Sequence, residues 1–369
     1  MALRRVSLRR AAPAILALWA AAALHSAATP RAWADVELIS ANPTANGSFG
    51  CSLSRIPALS ADGRDGLIVG ASRENAPAGP LEAGRAYVYD VSGARTLELK
   101  SPGEQASAYF GSAVAGVPDI NGDGRGDAIV GSYWDGASDV GRVFVFDGVT
   151  GISIHNLVSP GQQTSGRFGY SVAGVPDVNG DGRGEILVGA PGEANASSPT
   201  GAGRAYLFDG VTGVRLQTFT SPSEAQTGAF GAAVAGVPDT NGDGRGDVLI
   251  GAPREGVTFA GRAHLFDGAT GALIKTFVSP SDQPTGGFGA AVSGAPDLNG
   301  DGRGDMVMGA PGEKSASGVT AVGKAYVFSG QSGALIRALA SANETQNGRF
   351  GASVSGTPDL NGDAMGDVL

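Results

Sequence analysis

Cysteine is almost absent from this chain of 369 residues, in which Cys51 stands alone. No internal disulfide can form, so the fold must be held by other means. Histidine is scarce, and charged residues make up only 17% of the sequence. No basic run exists outside the first ten residues, and the formal net charge is −9, a pattern that argues against a nucleic-acid partner. No window sustains a helical period of apolar residues. The one long apolar stretch, residues 11–24, is too short for a comfortable membrane span. Glycine is abundant at 61 residues but has no three-residue period, which excludes collagen, and a hydrophobic content of 42% is enough for a core.

The N-terminus has the layout of an export signal. Arg4, Arg5, Arg9 and Arg10 precede the apolar stretch, and Ala32-Trp33-Ala34 offers an A-x-A cleavage site. Residues 1–34 are therefore expected to be a signal peptide and residues 35–369 the working domain, secreted, periplasmic or on the cell surface. No transmembrane segment is expected after cleavage. Removing residues 1–34 takes away five arginines and no acid, leaving 21 basic against 35 acidic residues, a net −14. Cys51 lies well past the cleavage site, which argues against a lipid anchor, and it is expected to be a small buried hydrophobe in a strand.

Beyond residue 35 the sequence repeats itself. Phe-Gly recurs at Phe49, Phe110, Phe168, Phe230, Phe288 and Phe350, at intervals of 61, 58, 62, 58 and 62 residues. Each copy has four apolar segments rich in Val, Ile, Leu and aromatics, bounded by Gly, Pro, Asp or Asn, which read as strands joined by turns. Four strands in about sixty residues match one blade of a β-propeller. The spacing between the glycine ending strand two and the glycine opening strand three alternates, 14, 10, 14, 10 and 14 residues. Copies two apart are the closer relatives, so the ancestral unit is read as a pair of blades.

Between strands one and two lies an acidic loop, Asp119-Ile120-Asn121-Gly122-Asp123-Gly124-Arg125-Gly126-Asp127 in copy two. Oxygen-bearing side chains stand at positions one, three, five and nine, with glycines between them. Such spacing suits a hard cation such as Ca²⁺, which takes six to eight oxygens from a tightly bent segment. Asn-Gly and Asp-Gly hairpin turns would explain the middle of the loop. They would not explain carboxylates at both ends, which repel one another unless a cation sits among them. An EF-hand is excluded by the lack of flanking helices and of a twelfth-position glutamate.

These features together resemble the FG-GAP repeat, the blade of the integrin alpha-subunit β-propeller and of many exported bacterial proteins. Phe168-Gly169 supplies FG and Gly189-Ala190-Pro191 supplies GAP, repeated at Gly251-Ala252-Pro253 and Gly309-Ala310-Pro311. Copies one and two depart there, with Gly70-Ala71-Ser72 and Gly131-Ser132-Tyr133. The resemblance implies Ca²⁺ held by side chains at positions one, three, five and nine and by the backbone carbonyl at seven. In copy two these are Asp119, Asn121, Asp123, Arg125 and Asp127, and in copy three Asp177, Asn179, Asp181, Arg183 and Glu185. Copy four supplies Asp239, Asn241, Asp243, Arg245 and Asp247, and copy five Asp297, Asn299, Asp301, Arg303 and Asp305. Copy six has Asp359, Asn361, Asp363 and Asp367, with Ala364 and Met365 in place of Gly-Arg. Copy one keeps only Ser60 and Asp62, between Ala58 and Gly66.

The expectation is thus an all-β propeller of four-stranded antiparallel blades with about six FG-GAP repeats, the last incomplete, seven being possible. Residues 36–39 resemble a fourth strand and are expected to help close a six-bladed ring. Phe of each Phe-Gly should wedge between blades while its glycine allows close backbone approach. No catalytic constellation is visible: His155 and His264 are the only histidines after residue 34, and no Gly-x-Ser-x-Gly elbow occurs. Arg-Gly-Asp at 125–127, 245–247 and 303–305 falls inside the acidic loops, where its aspartate is already used. The function expected is a calcium-binding adhesion or ligand-binding module for an extracellular protein or glycan. A surface scaffold, or a polysaccharide lyase or hydrolase, is the alternative. Tyr133-Trp134-Asp135, in a strand-two-to-three loop, is the candidate ligand contact, because loops on a rigid scaffold carry recognition.

Overall fold

The computed structural model describes residues 37–77, 79–194, 201–363 and 365–369. The proposed signal peptide, Val36 and Ala364 lie outside the described residues.

Each repeat folds as expected into strands bounded by its Gly, Pro and Asp turns. Blade one comprises β1 (Phe49–Ile56), β2 (Gly66–Ala71), β3 (Arg85–Tyr89) and β4 (Arg95–Leu99), and blade two β5 (Ala113–Val117), β6 (Asp127–Ser132), β7 (Arg142–Phe146) and β8 (Ser153–Val158). Blade three is β9 (Ser171–Val175), β10 (Glu185–Ala190), β11 (Arg204–Phe208) and β12 (Arg215–Phe219). Blade four is β13 (Ala233–Val237), β14 (Asp247–Ala252), β15 (Arg262–Asp267) and β16 (Leu273–Phe277), and blade five β17 (Ala291–Ala295), β18 (Asp305–Ala310), β19 (Lys324–Phe328) and β20 (Leu335–Ala340). Every one of these five sheets is a meander in sequence order, antiparallel throughout. First strands lie beside first strands of the next blade, from β1 through β5, β9 and β13 to β17.

Second strands are buried along their whole length in blades two to five, which is why they read as unbroken apolar runs. The core is a series of layers, one at each blade junction. Between blades two and three, Ile129, Val143, Val145 and Leu157 meet Phe168, Val172, Ile186, Val188, Tyr206 and Phe208. Phe110, Phe168, Phe230 and Phe288 are all fully buried in such layers, as expected for the Phe of Phe-Gly.

A second tie crosses the junctions between blades one and two, two and three, and four and five. Four residues after the glycine that ends strand two stands an acid, Glu74, Asp135, Glu193, Glu255 or Glu313, and all five are buried. Glu193 Oε2 accepts from the Tyr206 hydroxyl and Oε1 from Ser159 of the preceding blade. Glu313 is held likewise by Tyr326 and Ser279, and Glu74 by Tyr87 and Ser40. In blade four His264 replaces the tyrosine, its Nε2 2.8 Å from Glu255 Oε2 and its Nδ1 3.0 Å from Thr276 Oγ1. Buried acids are tolerable only with such partners.

Three expectations need correction. Among the described residues there are five four-stranded blades, not about six. Copy six contributes only β21 (Gly356–Thr357) and β22 (Asp367–Val368), a two-stranded sheet, because the chain carries residues for only the first two strands of that copy. Residues 37–40 form no strand and add none to that sheet. Ser40 instead takes the place that Ser159 and Ser279 take elsewhere, on the buried glutamate of the blade ahead. Cys51 is exposed rather than buried, since the β1–β2 register is irregular between Phe49 and Ser52.

Layers that are complete on both sides should matter more than those at the end of the array. Phe168→Ala is expected to cost about 3–5 kcal/mol in urea unfolding. Phe350→Ala, whose ring is only half-buried, should cost less than half as much, and equal losses would refute the layered description.

Candidate metal loops and the opposite face

The same hydrogen-bond scaffold recurs in loops two to five. The position-one carboxylate accepts two backbone N–H groups: Asp119 Oδ1 from Gly122 at 2.6 Å and Oδ2 from Gly124 at 2.8 Å. Asp177, Asp239 and Asp297 repeat this with Gly180 and Gly182, Gly242 and Gly244, and Gly300 and Gly302. Position three accepts from the position-five N–H, as Asn121 from Asp123, Asn179 from Asp181, Asn241 from Asp243 and Asn299 from Asp301, each at 2.9 Å. Position five accepts from the position-seven N–H, as Asp123 does from Arg125, Asp181 from Arg183, Asp243 from Arg245 and Asp301 from Arg303. Glycine at position four is required by its left-handed backbone, φ 93° at Gly122 and 87° at Gly180.

Position nine differs from the rest because it is buried at the head of strand two. Asp127 Oδ2 accepts from Ile120 N–H at 2.9 Å and Oδ1 from Gly148 N–H at 3.1 Å, and Asp247 and Asp305 are bound in the same way. In loop three the residue is Glu185, one methylene longer. Its Oε2 accepts from Val178 N–H at 2.8 Å, whereas Oε1 is buried without a hydrogen-bond partner. One carboxylate oxygen from each of Asp177, Asp181 and Glu185 lies within 4.8 Å of the other two.

The two ends of the loop are pushed in opposite directions. Burial raises the Asp127 carboxyl to about 7 and that of Glu185 to about 8, and it also raises Asp247 and Asp305. Asp119 also feels burial, but N–H groups of Gly122 and Gly124 and the Arg183 guanidinium outweigh it and hold the carboxyl below its ordinary value. Asp239 and Asp297 are lowered similarly. A buried carboxyl that is costly to ionise, with one oxygen left without a hydrogen bond and two further carboxylates close by, fits the donor chemistry of a hard cation.

The end copies are different. In copy one, Asp62 is ion-paired with Arg64 at 2.6 Å and Asp65 with Arg55 at 3.0 Å, so arginines already neutralise its carboxylates. Copy six retains the scaffold: Asp359 accepts from Gly362, Asn361 from Asp363, Asp363 from Met365 and Asp367 from Leu360. Asp367 is only half-buried there. Gly126 and Asp127 are both buried, so Arg-Gly-Asp in this loop is not displayed.

Antiparallel meanders put the strand-two-to-three loops on the face away from the acidic loops. Tyr133 and Trp134 are half-buried on that face. Asp135 does not join them as a ligand contact. It is the buried acid of blade two, 3.3 Å from Arg142 Nε and 3.3 Å from Ser101 Oγ. Tyr109 and Tyr170, which the motif left out, pack against Tyr133. The missed buried acids did carry a signal, namely their constant distance from the strand-two glycine.

Three stretches, residues 168–208, 230–266 and 288–328, match the FG-GAP repeat family. They are copies three to five, from Phe-Gly through strand three. The chain is 37% identical to integrin alpha-IIb of Mus musculus over 164 residues, 41% of this chain and 15% of that protein. It is 33% identical to human integrin alpha-11 over 50% of this chain and 16% of that protein. For integrin alpha-PS3 of Drosophila melanogaster the identity is 32% over 58% of this chain and 20% of that protein. The match therefore spans a fifth or less of the length of these relatives. Among solved structures, a chain of BBS1N in complex with ARL6DN overlays with a TM-score of 0.47 at 12% identity, over 83% of this chain and 70% of that one. Copies three to five of this chain are FG-GAP repeats, and the chain is similar in part of its length to integrin alpha subunits.

Proposed function

We propose that the chain is an exported, calcium-binding propeller that acts as an adhesion-type ligand-binding module. The observation that carries the metal reading is the convergence of one oxygen each from Asp177, Asp181 and the buried Glu185, whose Oε1 has no hydrogen-bond partner. Side chains at positions one, three, five and nine of loops two to five, with the carbonyls of Arg125, Arg183, Arg245 and Arg303, would hold the ions. A bound Ca²⁺ would tie the head of strand two to its loop and relieve the repulsion among three carboxylates. Ligand recognition, for an extracellular protein or glycan, is assigned to the face opposite. Similarity to integrin alpha subunits supports this reading, as does the export-signal pattern at the N-terminus. Catalysis is not proposed: His264 is wholly buried between Glu255 and Thr276, and His155 is taken up by the Gly210 carbonyl.

Calcium should raise the melting temperature, and excess chelator should lower it. A site filled at a hundred times its dissociation constant stabilises the folded state by about 2.7 kcal/mol. Asp181→Asn should lower the calorimetric stoichiometry by one ion and leave the ion-free melting point within about 1 kcal/mol of wild type, as for a surface change. Melting that ignores chelation would overturn the metal reading.

Binding should also be coupled to protons. Asp127 and Glu185 hold a proton up to about 7 and about 8 in the ion-free fold. Calcium must displace those protons, so affinity should fall as pH drops from 8 to 6, with a binding heat that depends on buffer ionisation. Without calcium the sign reverses. Both carboxyls are raised above their unfolded values, so stability is lost as pH rises from about 4 through 7 to 8. A pH-independent calcium affinity would contradict this.

A further inference from the structure

Seven tyrosines occur in the chain, and four of them, Tyr87, Tyr89, Tyr206 and Tyr326, belong to third strands. The other three, Tyr109, Tyr133 and Tyr170, converge with Trp134, the only tryptophan beyond residue 34. Tyr109 and Tyr133 stack with centroids 6.0 Å apart, and Trp134 meets them edge-on at 5.9 and 6.0 Å. Tyr170 stands against Tyr133 at 5.4 Å and is 41% exposed.

This cluster is not a requirement of the repeat. The positions equivalent to Tyr109 hold Ser48, Arg167, Ala229, Gly287 and Arg349, and those equivalent to Tyr170 hold Cys51, Ser112, Ala232, Ala290 and Ala352. Where blade two has Tyr133-Trp134, blades three and five have Pro191-Gly192 and Pro311-Gly312. None of these blades needs an aromatic there to fold.

Two cations flank the rings. Arg73 Cζ lies 5.6 Å from the Tyr109 centroid, and exposed Arg167 shares a turn with Tyr170, whose N–H donates to the Arg167 carbonyl at 3.1 Å. Neither has an ion-pair partner among the described residues. Glu82 stands beside the rings and accepts from the Tyr109 hydroxyl at 3.1 Å.

We propose that this patch, on the face away from the acidic loops, binds an acidic saccharide. The proposal rests on reading the chain as a ligand-binding module and names its ligand class. Ring faces offer flat apolar surface with polar tips, which suits the C–H faces and hydroxyls of a pyranose. Arg73 and Arg167 supply planar, multi-donor partners for a uronate carboxylate or a sulfate. A basic partner is disfavoured, because it would meet two unpaired guanidinia. An acidic peptide is the weaker alternative, because the patch is built from loops and hairpin ends and offers no strand edge for a peptide to extend.

The test is retention of the calcium-loaded full chain on an immobilised polyuronate, a sulfated polysaccharide, neutral dextran, polyglutamate and a matrix protein. Retention on the polyuronate, the sulfated polymer or both, with none on dextran, is expected. Tyr170→Ala and Arg73→Gln should each weaken it roughly fivefold, as for a contact of about 1 kcal/mol, with calcium-dependent melting unchanged. Equal retention on polyglutamate would mean that charge alone is read and would overturn the saccharide. Polysaccharide binding indifferent to both substitutions would move the site elsewhere and sink the patch while leaving the ligand-binding reading intact. Matrix-protein binding abolished by Tyr170→Ala, without saccharide binding, would keep the patch and reject its ligand class. Retention on none of the surfaces would overturn both.

Discussion

Everything in this molecule depends on how closely the backbones of adjacent blades approach. Gly111, the glycine of Phe-Gly in blade two, points its carbonyl oxygen at Gly70, the last glycine of strand two in blade one. A Cβ on Gly70 would sit 2.0 Å from that oxygen. The same Gly111 donates its own N–H to the Gly131 carbonyl of its own strand two at 3.0 Å. One residue thus pins strand one to strand two within a blade and abuts the blade behind. The contact repeats between Gly189 and Gly231, Gly251 and Gly289, and Gly309 and Gly351. With a side chain at either position the blades would stand apart, and the buried phenylalanine next door would lose the layer it fills.

From that constraint follows the separation of roles between the two faces. Strand one begins at the close approach, so its other end must carry the turn into strand two, and the acidic loop grows there. The loop is exposed at its middle and buried at position nine, where strand two dives between its neighbours. A single nine-residue segment therefore contains a carboxylate stabilised by N–H dipoles and another destabilised by burial. The opposite face, where strands two and three connect and one blade hands over to the next, has room for variation. The aromatic patch occupies such a connection, and the buried acids lock the base of every one.

Much of this was legible because the determinants are local. Turn glycines, apolar runs and the acidic spacing each sit within about ten residues, so the blades, their strands and the Phe wedge could be read directly. The blade count was not, since a sheet needs all four strands and copy six carries residues for two. Cys51 misled for a similar reason: its strand looks regular in sequence, but the pairing slips between Phe49 and Ser52. Asp135 seemed to be a surface partner of Trp134, because its fate is decided by Ser101 in the preceding blade and Arg142 across the hairpin. Tyr109 and Tyr170 joined the aromatic cluster from different blades, a juxtaposition that no local motif encodes.

A two-blade period, first seen in loop lengths, returns in the electrostatics of the acidic face. Arg183 of loop three reaches back to the Asp119 carboxylate of loop two, and Arg303 of loop five to Asp239 of loop four, at 2.6 Å. Arg125 and Arg245, the intervening members, bind carbonyls instead, those of Leu59 and Val178, each at 3.0 Å. Short turns at Ala137–Asp139 and Val257–Phe259 mark the same alternation on the other face, in blades two and four. Loops two and four therefore share their first carboxylate with a guanidinium, whereas Asp177 and Asp297 have no such ion pair among the described residues. Any cation entering loop two or four must compete with that arginine for the oxygen, so loops of nearly identical sequence are not electrostatically equivalent. The difference lies in the neighbouring blade, which is where a repeat protein keeps whatever its consensus cannot express.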